Sequence, residues 1–178
     1  MSEAEKASPA TTSHTAVERK NDCELVVTRT FNASVHIVFE AWTKPEWFKL
    51  WWVPKSTGLS LLSCEMDVRT GGKYRLVFRH PAVDQPMAFF GTYQEVTPHQ
   101  RLVWTNEESD QGAVTTVTFE ENAGKTLVTL HERYPTKAAL DEALAGSAEV
   151  LPQQFAQLDE WLASRLRPSA WPVSAILY

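Results

Sequence analysis

Cysteine is scarce in this chain: its 178 residues include two, Cys23 and Cys64. They form no CxxC pair, and no histidine stands at zinc-ligand spacing from either, so the sequence predicts no metal site and no cofactor. No apolar run reaches the roughly 20 residues that a membrane-spanning helix needs. The first residues lack the basic segment and apolar segment of a secretory signal. These absences favour a soluble, cytoplasmic protein that does not bind membranes.

Positive charge is also in short supply. Lys and Arg number 17 against 22 Asp and Glu, which gives a net charge of -5 and an isoelectric point near 5.5. Phosphate binding depends on clustered Lys and Arg, and no segment has such a cluster, so we expect no nucleic-acid partner. The length and the 43% hydrophobic content suit one domain with a sizeable core.

Catalytic motifs are missing as well, since the chain has no GxSxG, HExxH, P-loop or GxGxxG sequence. The weak candidates for acid or base chemistry are His131 and Glu132. If Val128 and Leu130 face inward, strand alternation places Glu132 on their side and His131 on the other. Glu132 is then the better inward-facing candidate, but neither residue makes an enzyme the favoured interpretation.

Aromatic residues, by contrast, are concentrated between residues 43 and 54, TKPEWFKLWWVP. On a short helix opened by Pro45, the residues Phe48, Trp51 and Trp52 stand at i, i+3 and i+4 and form one aromatic face. Such a face needs a large apolar partner. The rings either belong to the core or line an apolar ligand cavity, and the sequence leaves both open.

The order of predicted elements indicates an α+β fold. Residues 1–23 are polar and without periodicity, which predicts a disordered tail. A strand from residue 24, two short helices, six strand-like runs and apolar spacings of three and four up to residue 166 follow. The sheet can therefore curl around the last helix. The apolar C-terminal tail, residues 168–178, is expected to dock on the fold or on a second subunit, so a homodimer is compatible with the sequence.

A curved sheet that grips a helix leaves space between the two, and we predict its wall from strand parity and the paired tryptophans. The predicted ligand-binding residues are Trp51, Trp52, Tyr74, Leu76, Phe78, Met87, Phe89, Tyr93, Trp104, Val117 and Phe119. Alternatively, they pack on the helix with no void. An inward tyrosine needs a hydrogen-bond partner, because an unpaired hydroxyl costs about 1–3 kcal/mol, and a ligand or water could supply it. Gly91 predicts a bend in its strand, with close approach of another group as the alternative.

Several motifs occur together in a specific order. They are Trp42-Thr43-x-Pro45-Glu46, Trp51-Trp52-x-Pro54, Asp67-x-Arg69-x-Gly71-Gly72 and Gly91-x-Tyr93-x-Glu95-Val96-x-Pro98-x-x-Arg101-Leu102-Val103. From about residue 25 to 166 the chain resembles the family named for the activator of heat-shock protein 90 ATPase, in the START-like (SRPBCC) superfamily with Bet v-like and polyketide cyclase-like proteins. The resemblance implies a helix-grip fold over residues 24–167: a curved antiparallel sheet wrapped around a long C-terminal helix, with an apolar cavity inside.

The resemblance is less informative about function. Members of the superfamily include lipid carriers, polyketide cyclases, aromatases and antibiotic-resistance binders, so the fold does not choose among them. We expect a protein that binds a hydrophobic small molecule. The alternatives are a cyclase-, aromatase- or hydrolase-like enzyme and a chaperone-related interaction module of the stress response. Because the co-chaperones of the family carry an additional N-terminal domain, a chaperone partner is not expected.

Overall fold

A computed structural model of the protein describes residues 14–166; the apolar tail expected at residues 168–178 lies outside the described part. Eight antiparallel strands form one curved sheet in the order β1-β2-β8-β7-β6-β5-β4-β3. The strands are β1 (Ala16–Arg19), β2 (Glu24–Phe31), β3 (Ser60–Met66), β4 (Lys73–Arg79), β5 (Met87–Thr97), β6 (Arg101–Thr105), β7 (Val114–Asn122) and β8 (Lys125–Arg133). The predicted α+β, helix-grip architecture is confirmed.

Within residues 14–166, four α-helices accompany the sheet: α1 (Val35–Thr43), α2 (Pro45–Trp51), α3 (Lys137–Ser147) and α4 (Val150–Leu166). Lys44 separates the first two in an extended conformation, with φ -93° and ψ 117°. The cause is Pro45, because the residue before a proline avoids the helical region, whereas proline itself suits the first helical position. The aromatic helix therefore leaves α1 at an angle. No helix within residues 14–166 combines the length and apolarity needed to cross a bilayer.

Helix α4 lies against the concave side of the sheet. The ring of Phe155 packs against that of Phe31 with centroids 5.9 Å apart. Arg29 Nη2 donates a hydrogen bond to Asp159 Oδ2 at 2.9 Å, and the Arg29 side chain is only 10% exposed. Apolar burial and one mostly buried ion pair thus join α4 to β2.

The predicted tail boundary at residue 23 is wrong, because β1 pairs with β2 from Ala16↔Thr28 to Arg19↔Leu25. All four side chains of β1 are exposed, so the strand is stabilised by backbone pairing and leaves no apolar periodicity in the sequence. Arg19 adds a long-range contact, since its Nη1 donates to Asp141 Oδ1 of α3 at 2.7 Å.

Strand β5 changes partner along its length. Residues 87–92 pair with β4, and residues 93–97 pair with β6 across a register shift between Tyr93 and Glu95. The bend predicted at Gly91 is not what requires glycine there. A Cβ on Gly91 would lie 1.7 Å from the Thr105 carbonyl oxygen and 2.9 Å from the Tyr74 ring. The close-approach alternative is therefore the right one.

Candidate functional site

An apolar cavity of about 30 Å³ lies between helices α1 and α2 and the concave face of β3 to β6. We call it the aromatic cavity. Its lining residues are Trp42, Phe48, Trp52, Met66, Tyr74, Leu76, Tyr93, Leu102 and Trp104. A cavity of this volume holds about one water molecule. An organic ligand could enter only if some of the lining side chains moved.

The helical side of the aromatic cavity is a stack of large rings. Trp52 lies one residue beyond the end of α2 and stacks on Phe48, with ring centroids 4.6 Å apart and an interplanar angle of 26°. The ring of Trp42, from α1, meets Trp52 edge-on at 5.9 Å. Offset and edge-to-face arrangements of this kind are the favoured geometries of aromatic pairs.

Helix α4 holds the backbone of this stack in place. Gln157 Nε2 donates to the carbonyl oxygens of Trp51 and Val53, both at 2.8 Å. Gln154 Nε2 donates to the carbonyl of Trp52 at 2.6 Å. The last carbonyls of α2 have no partner within their own helix, and both buried glutamines supply one. The backbone of Trp52 is thereby fixed, while its side chain is held by packing alone.

The two tyrosines of the aromatic cavity differ in their hydrogen bonding. Tyr74 Oη donates to the Thr105 carbonyl oxygen at 2.7 Å and lies 3.0 Å from Asn106 Oδ1. The protein therefore satisfies this hydroxyl without a ligand. Tyr93 is 4% exposed, and its hydroxyl has no hydrogen-bond partner among residues 14–166. Burial raises the pKa of both tyrosines, which keeps them neutral.

A second polar group on the cavity wall is also without a partner. The indole N–H of Trp42 is buried and makes no hydrogen bond within the described residues. The backbone beside Tyr93 is well fixed, because Gly71 N–H donates to the Tyr93 carbonyl at 2.7 Å and Tyr93 N–H donates to the Gly72 carbonyl at 2.8 Å. The wall thus presents two unpaired polar groups on a rigid support. Buried polar groups are nearly always paired, so the buried Trp42 N–H in particular needs an explanation.

The structure brings together part of the predicted ligand-binding set. Trp52, Tyr74, Leu76, Tyr93 and Trp104 line the aromatic cavity. Four others, Trp51, Phe78, Val117 and Phe119, are buried in the core and do not line it. The Trp51 indole N–H, for example, donates to the Ala41 carbonyl at 3.0 Å.

Met87 and Phe89 do not lie on the cavity wall as predicted. They have the inward parity, since they pair with Phe78 and Leu76, but their exposed fractions are 36% and 44%. Both lie at the start of β5, and neither is among the residues of the aromatic cavity. Strand parity gives the face of a residue but not whether a helix covers it.

Four lining residues are not in the predicted ligand-binding set: Trp42, Phe48, Met66 and Leu102. Trp42 and Phe48 carry a usable signal, because they belong to the apolar stripe of α1 and to the aromatic face of α2. Leu102 stands in the motif that carries the family resemblance. Met66 has no comparable signal, since β3 shows no regular alternation of burial.

A separate cavity of about 190 Å³ lies between the end of β8 and helices α3 and α4. We call it the Glu132 chamber. It is lined by Leu25, Trp52, Glu132, Tyr134, Ala143, Leu144, Val150, Leu151 and Gln154. Glu132 Oε2 accepts a hydrogen bond from the Tyr134 hydroxyl at 2.9 Å. Burial raises the pKa of Glu132, although the bond from Tyr134 works in the other direction.

Strand alternation places His131 on the opposite side of β8 from Glu132. His131 Nε2 lies 2.9 Å from Glu24 Oε2, and the histidine side chain is 36% exposed. This contact, more than any other, lowers the pKa of Glu24. His131 therefore does not reach either cavity. Elsewhere in residues 14–166, no three His, Cys, Asp or Glu side chains gather as metal ligands would.

Comparison with known proteins gives a family and a fold. The family described as activator of Hsp90 ATPase homolog 1-like protein matches residues 32–163. A Rhodobacter sphaeroides protein of known structure has a TM-score of 0.75 at 22% identity, over 85% of this chain and 99% of its own. An activator-of-Hsp90-ATPase-like protein from Aeromonas hydrophila gives 0.62 at 18% identity, over 79% and 93%. No curated protein matches the sequence.

Proposed function

The chain belongs to the family of activator of Hsp90 ATPase homolog 1-like proteins, and we propose that it binds a hydrophobic small molecule in the aromatic cavity. One observation carries the proposal: the apolar wall includes the indole N–H of Trp42, which is buried and has no partner among residues 14–166. The Tyr93 hydroxyl on the same wall also makes no hydrogen bond to those residues. Ligand sites are typically apolar with a few polar groups that orient the ligand. A ligand with one hydrogen-bond acceptor would satisfy either group.

Binding requires the aromatic cavity to expand, and Trp52 is the side chain best placed to move. Its backbone is fixed by Gln154, but its ring is only partly buried and lines both the aromatic cavity and the Glu132 chamber. Rotation of that ring would join the two spaces without any change in the sheet. Side-chain changes of this kind are common when ligands or partners bind, even where the backbone stays in place.

The aromatic cavity supports binding better than catalysis. Its ionisable lining groups are Tyr74 and Tyr93, and burial raises the pKa of both away from the range in which they could act as bases near neutral pH. His131 lies on the outer side of β8, and Glu132 is absent from the lining of the aromatic cavity. An acid–base mechanism in this cavity therefore has no suitable group.

Native mass spectrometry of the purified protein, before and after extraction with organic solvent, tests the proposal. We expect the purified protein to have a mass above that of the polypeptide alone, and extraction to remove the difference. The extracted protein should then bind octanol saturably at one site. A protein that shows no excess mass and does not bind octanol saturably would overturn the proposed function.

A further inference from the structure

The aromatic cavity and the Glu132 chamber share both a wall and a floor. The shared wall is Trp52. The floor is one row of paired residues across five strands: Tyr93↔Trp104, Trp104↔Thr115, Thr115↔Glu132 and Glu132↔Leu25. Neighbouring strands lie roughly 4.8 Å apart, so Tyr93 and Glu132 are separated by about 14 Å along this row. One elongated molecule could therefore reach both.

Among the described residues that line its chamber, Glu132 is the only charged one, and the rest of this lining is mostly apolar. One carboxylate oxygen accepts the Tyr134 hydroxyl. The other, Oε1, has no hydrogen-bond partner in the described part of the chain. The Gln154 amide donates to the Trp52 carbonyl and makes no hydrogen bond to Glu132 within residues 14–166. A cation stabilises a partly desolvated carboxylate, and no Lys, Arg or His is among the described residues that line the chamber.

We propose that the Glu132 chamber binds the ammonium group of an elongated hydrophobic amine whose largely apolar body, with one hydrogen-bond acceptor, occupies the aromatic cavity. This inference rests on the proposed function and adds the chemical class of the ligand. Glu132 Oε1 accepts a hydrogen bond from the ammonium group, and the carboxylate supplies the counter-charge. The rings of Trp52 and Tyr134 border the same space and attract a cation through their faces.

Other head groups fit the chamber less well. A carboxylate would meet Glu132 as a like charge in a largely apolar space, which disfavours binding. An alcohol brings no positive charge and so gains little from Glu132. Its hydroxyl instead accepts a hydrogen bond from Tyr93 or Trp42 in the aromatic cavity. The chamber therefore selects an amine over an alcohol, and an alcohol over an acid, when the apolar chain is the same.

Calorimetric titration with octylamine, octanol and octanoate tests this order, because the three share one chain length and differ in the head group. The wild-type protein should bind octylamine about tenfold or more tightly than octanol, and octanoate least tightly. In Glu132→Gln the octylamine advantage should fall to about threefold or less, with octanol affinity unchanged. The matched control Glu120→Gln removes an exposed carboxylate and should keep the wild-type order, which separates the chamber from the general attraction of an acidic protein for amines.

The outcomes distinguish the two proposals. Equal affinity for octylamine and octanol in the wild-type protein, or an octylamine preference that survives in Glu132→Gln, would overturn the amine inference and leave the hydrophobic binding site intact. If none of the three compounds binds saturably, the proposed function fails and this inference fails with it. The comparison within the wild-type protein needs no variant to fold.

Discussion

Tyr93 and Tyr74 occupy similar positions on the wall of the aromatic cavity but have different surroundings. The Tyr74 hydroxyl bonds to the Thr105 carbonyl, whereas that of Tyr93 has no partner within residues 14–166. Sequence alternation predicts that both face inward, and it does so correctly. It cannot predict which hydroxyl is satisfied, because the partner of Tyr74 comes from another strand, 31 residues away in the chain.

Tyr93→Phe should weaken ligand binding more than it weakens the fold. The hydroxyl has no protein bond to lose, so the melting temperature should change little, while the dissociation constant for octanol should rise about three- to tenfold. Tyr74→Phe is the matched control and should lower stability by about 1 kcal/mol with a smaller effect on binding. Titration calorimetry and thermal unfolding measure both. Loss of stability in Tyr93→Phe with binding unchanged would contradict this role of Tyr93.

Glu132→Gln should change the dependence of stability on pH. Burial raises the folded-state pKa of Glu132 above its ordinary 4.5. The stability that the neutral carboxyl contributes to the fold is therefore fully present below about pH 4.5 and is lost as the pH rises through the raised pKa. The glutamine variant stays neutral throughout. The free energy of unfolding of the variant, relative to that of the wild-type protein, should therefore increase as the pH rises from about 4.5 through the raised pKa of Glu132, and then level off.

Urea unfolding of both proteins at a series of pH values measures this difference. Glu120→Gln, at an exposed position, should show no such change. If the free energy of unfolding of Glu132→Gln instead fell relative to that of the wild-type protein as the pH rises, Glu132 would be stabilised as a carboxylate in the folded protein.

At the scale of elements, most strands and helices follow from residue patterns. The alternation of KYRLVFR corresponds to β4 (Lys73–Arg79), and Pro45 marks the start of α2. Strand β1 is the exception, because its side chains are all exposed and backbone pairing leaves no apolar pattern to read. Apolar periodicity in the sequence reflects burial of side chains, so it does not predict a strand whose side chains are all exposed.

Asp159→Ala should loosen the attachment of α4 to the sheet. It would leave the Arg29 side chain, 10% exposed, without its carboxylate partner, at a cost of about 1–3 kcal/mol. Glu160→Ala is the matched control, because its pair with Lys55 is 3.9 Å long and both side chains are more than 70% exposed. That change should cost less than about 0.5 kcal/mol. Equal denaturation midpoints for both variants would contradict the role given to the Arg29–Asp159 pair.

Gly91→Ala and Gly146→Ala should have opposite effects on stability. A Cβ at Gly91 meets the Thr105 carbonyl oxygen at 1.7 Å, so the paired strands must shift, at a cost of about 1–3 kcal/mol. Gly146 lies in α3 with nothing near its Cβ position, and alanine there should add about 0.5–1 kcal/mol. Chemical denaturation of both variants checks the signs. A Gly91→Ala protein as stable as the wild type would refute the close approach.

For the whole molecule, the sequence predicts the architecture better than the cavity. Order of elements and motif resemblance predict a sheet wrapped around a C-terminal helix, and this is confirmed. The extent of the cavity depends on how far helices cover the sheet. Phe89 and Phe119 both have the inward strand parity. Phe89 is nevertheless 44% exposed, whereas Phe119 is buried beside Phe39 of α1, with ring centroids 5.3 Å apart. Long-range packing decides such cases, and periodicity does not record it.

The chain's seven tryptophans allow a direct test of whether the interior, and not the surface, receives the ligand. The indole N–H signals can be followed by ¹H–¹⁵N NMR during titration with octanol. Trp42, Trp52 and Trp104 line the aromatic cavity, whereas Trp47 lies under the guanidinium of Arg165, 3.9 Å from its ring centroid, and beside Trp161.

We expect saturable shifts at the three cavity tryptophans, all with one dissociation constant, and no shifts at Trp47 or Trp161. Shifts confined to Trp47 and Trp161, or shifts that never saturate, would contradict binding in the interior.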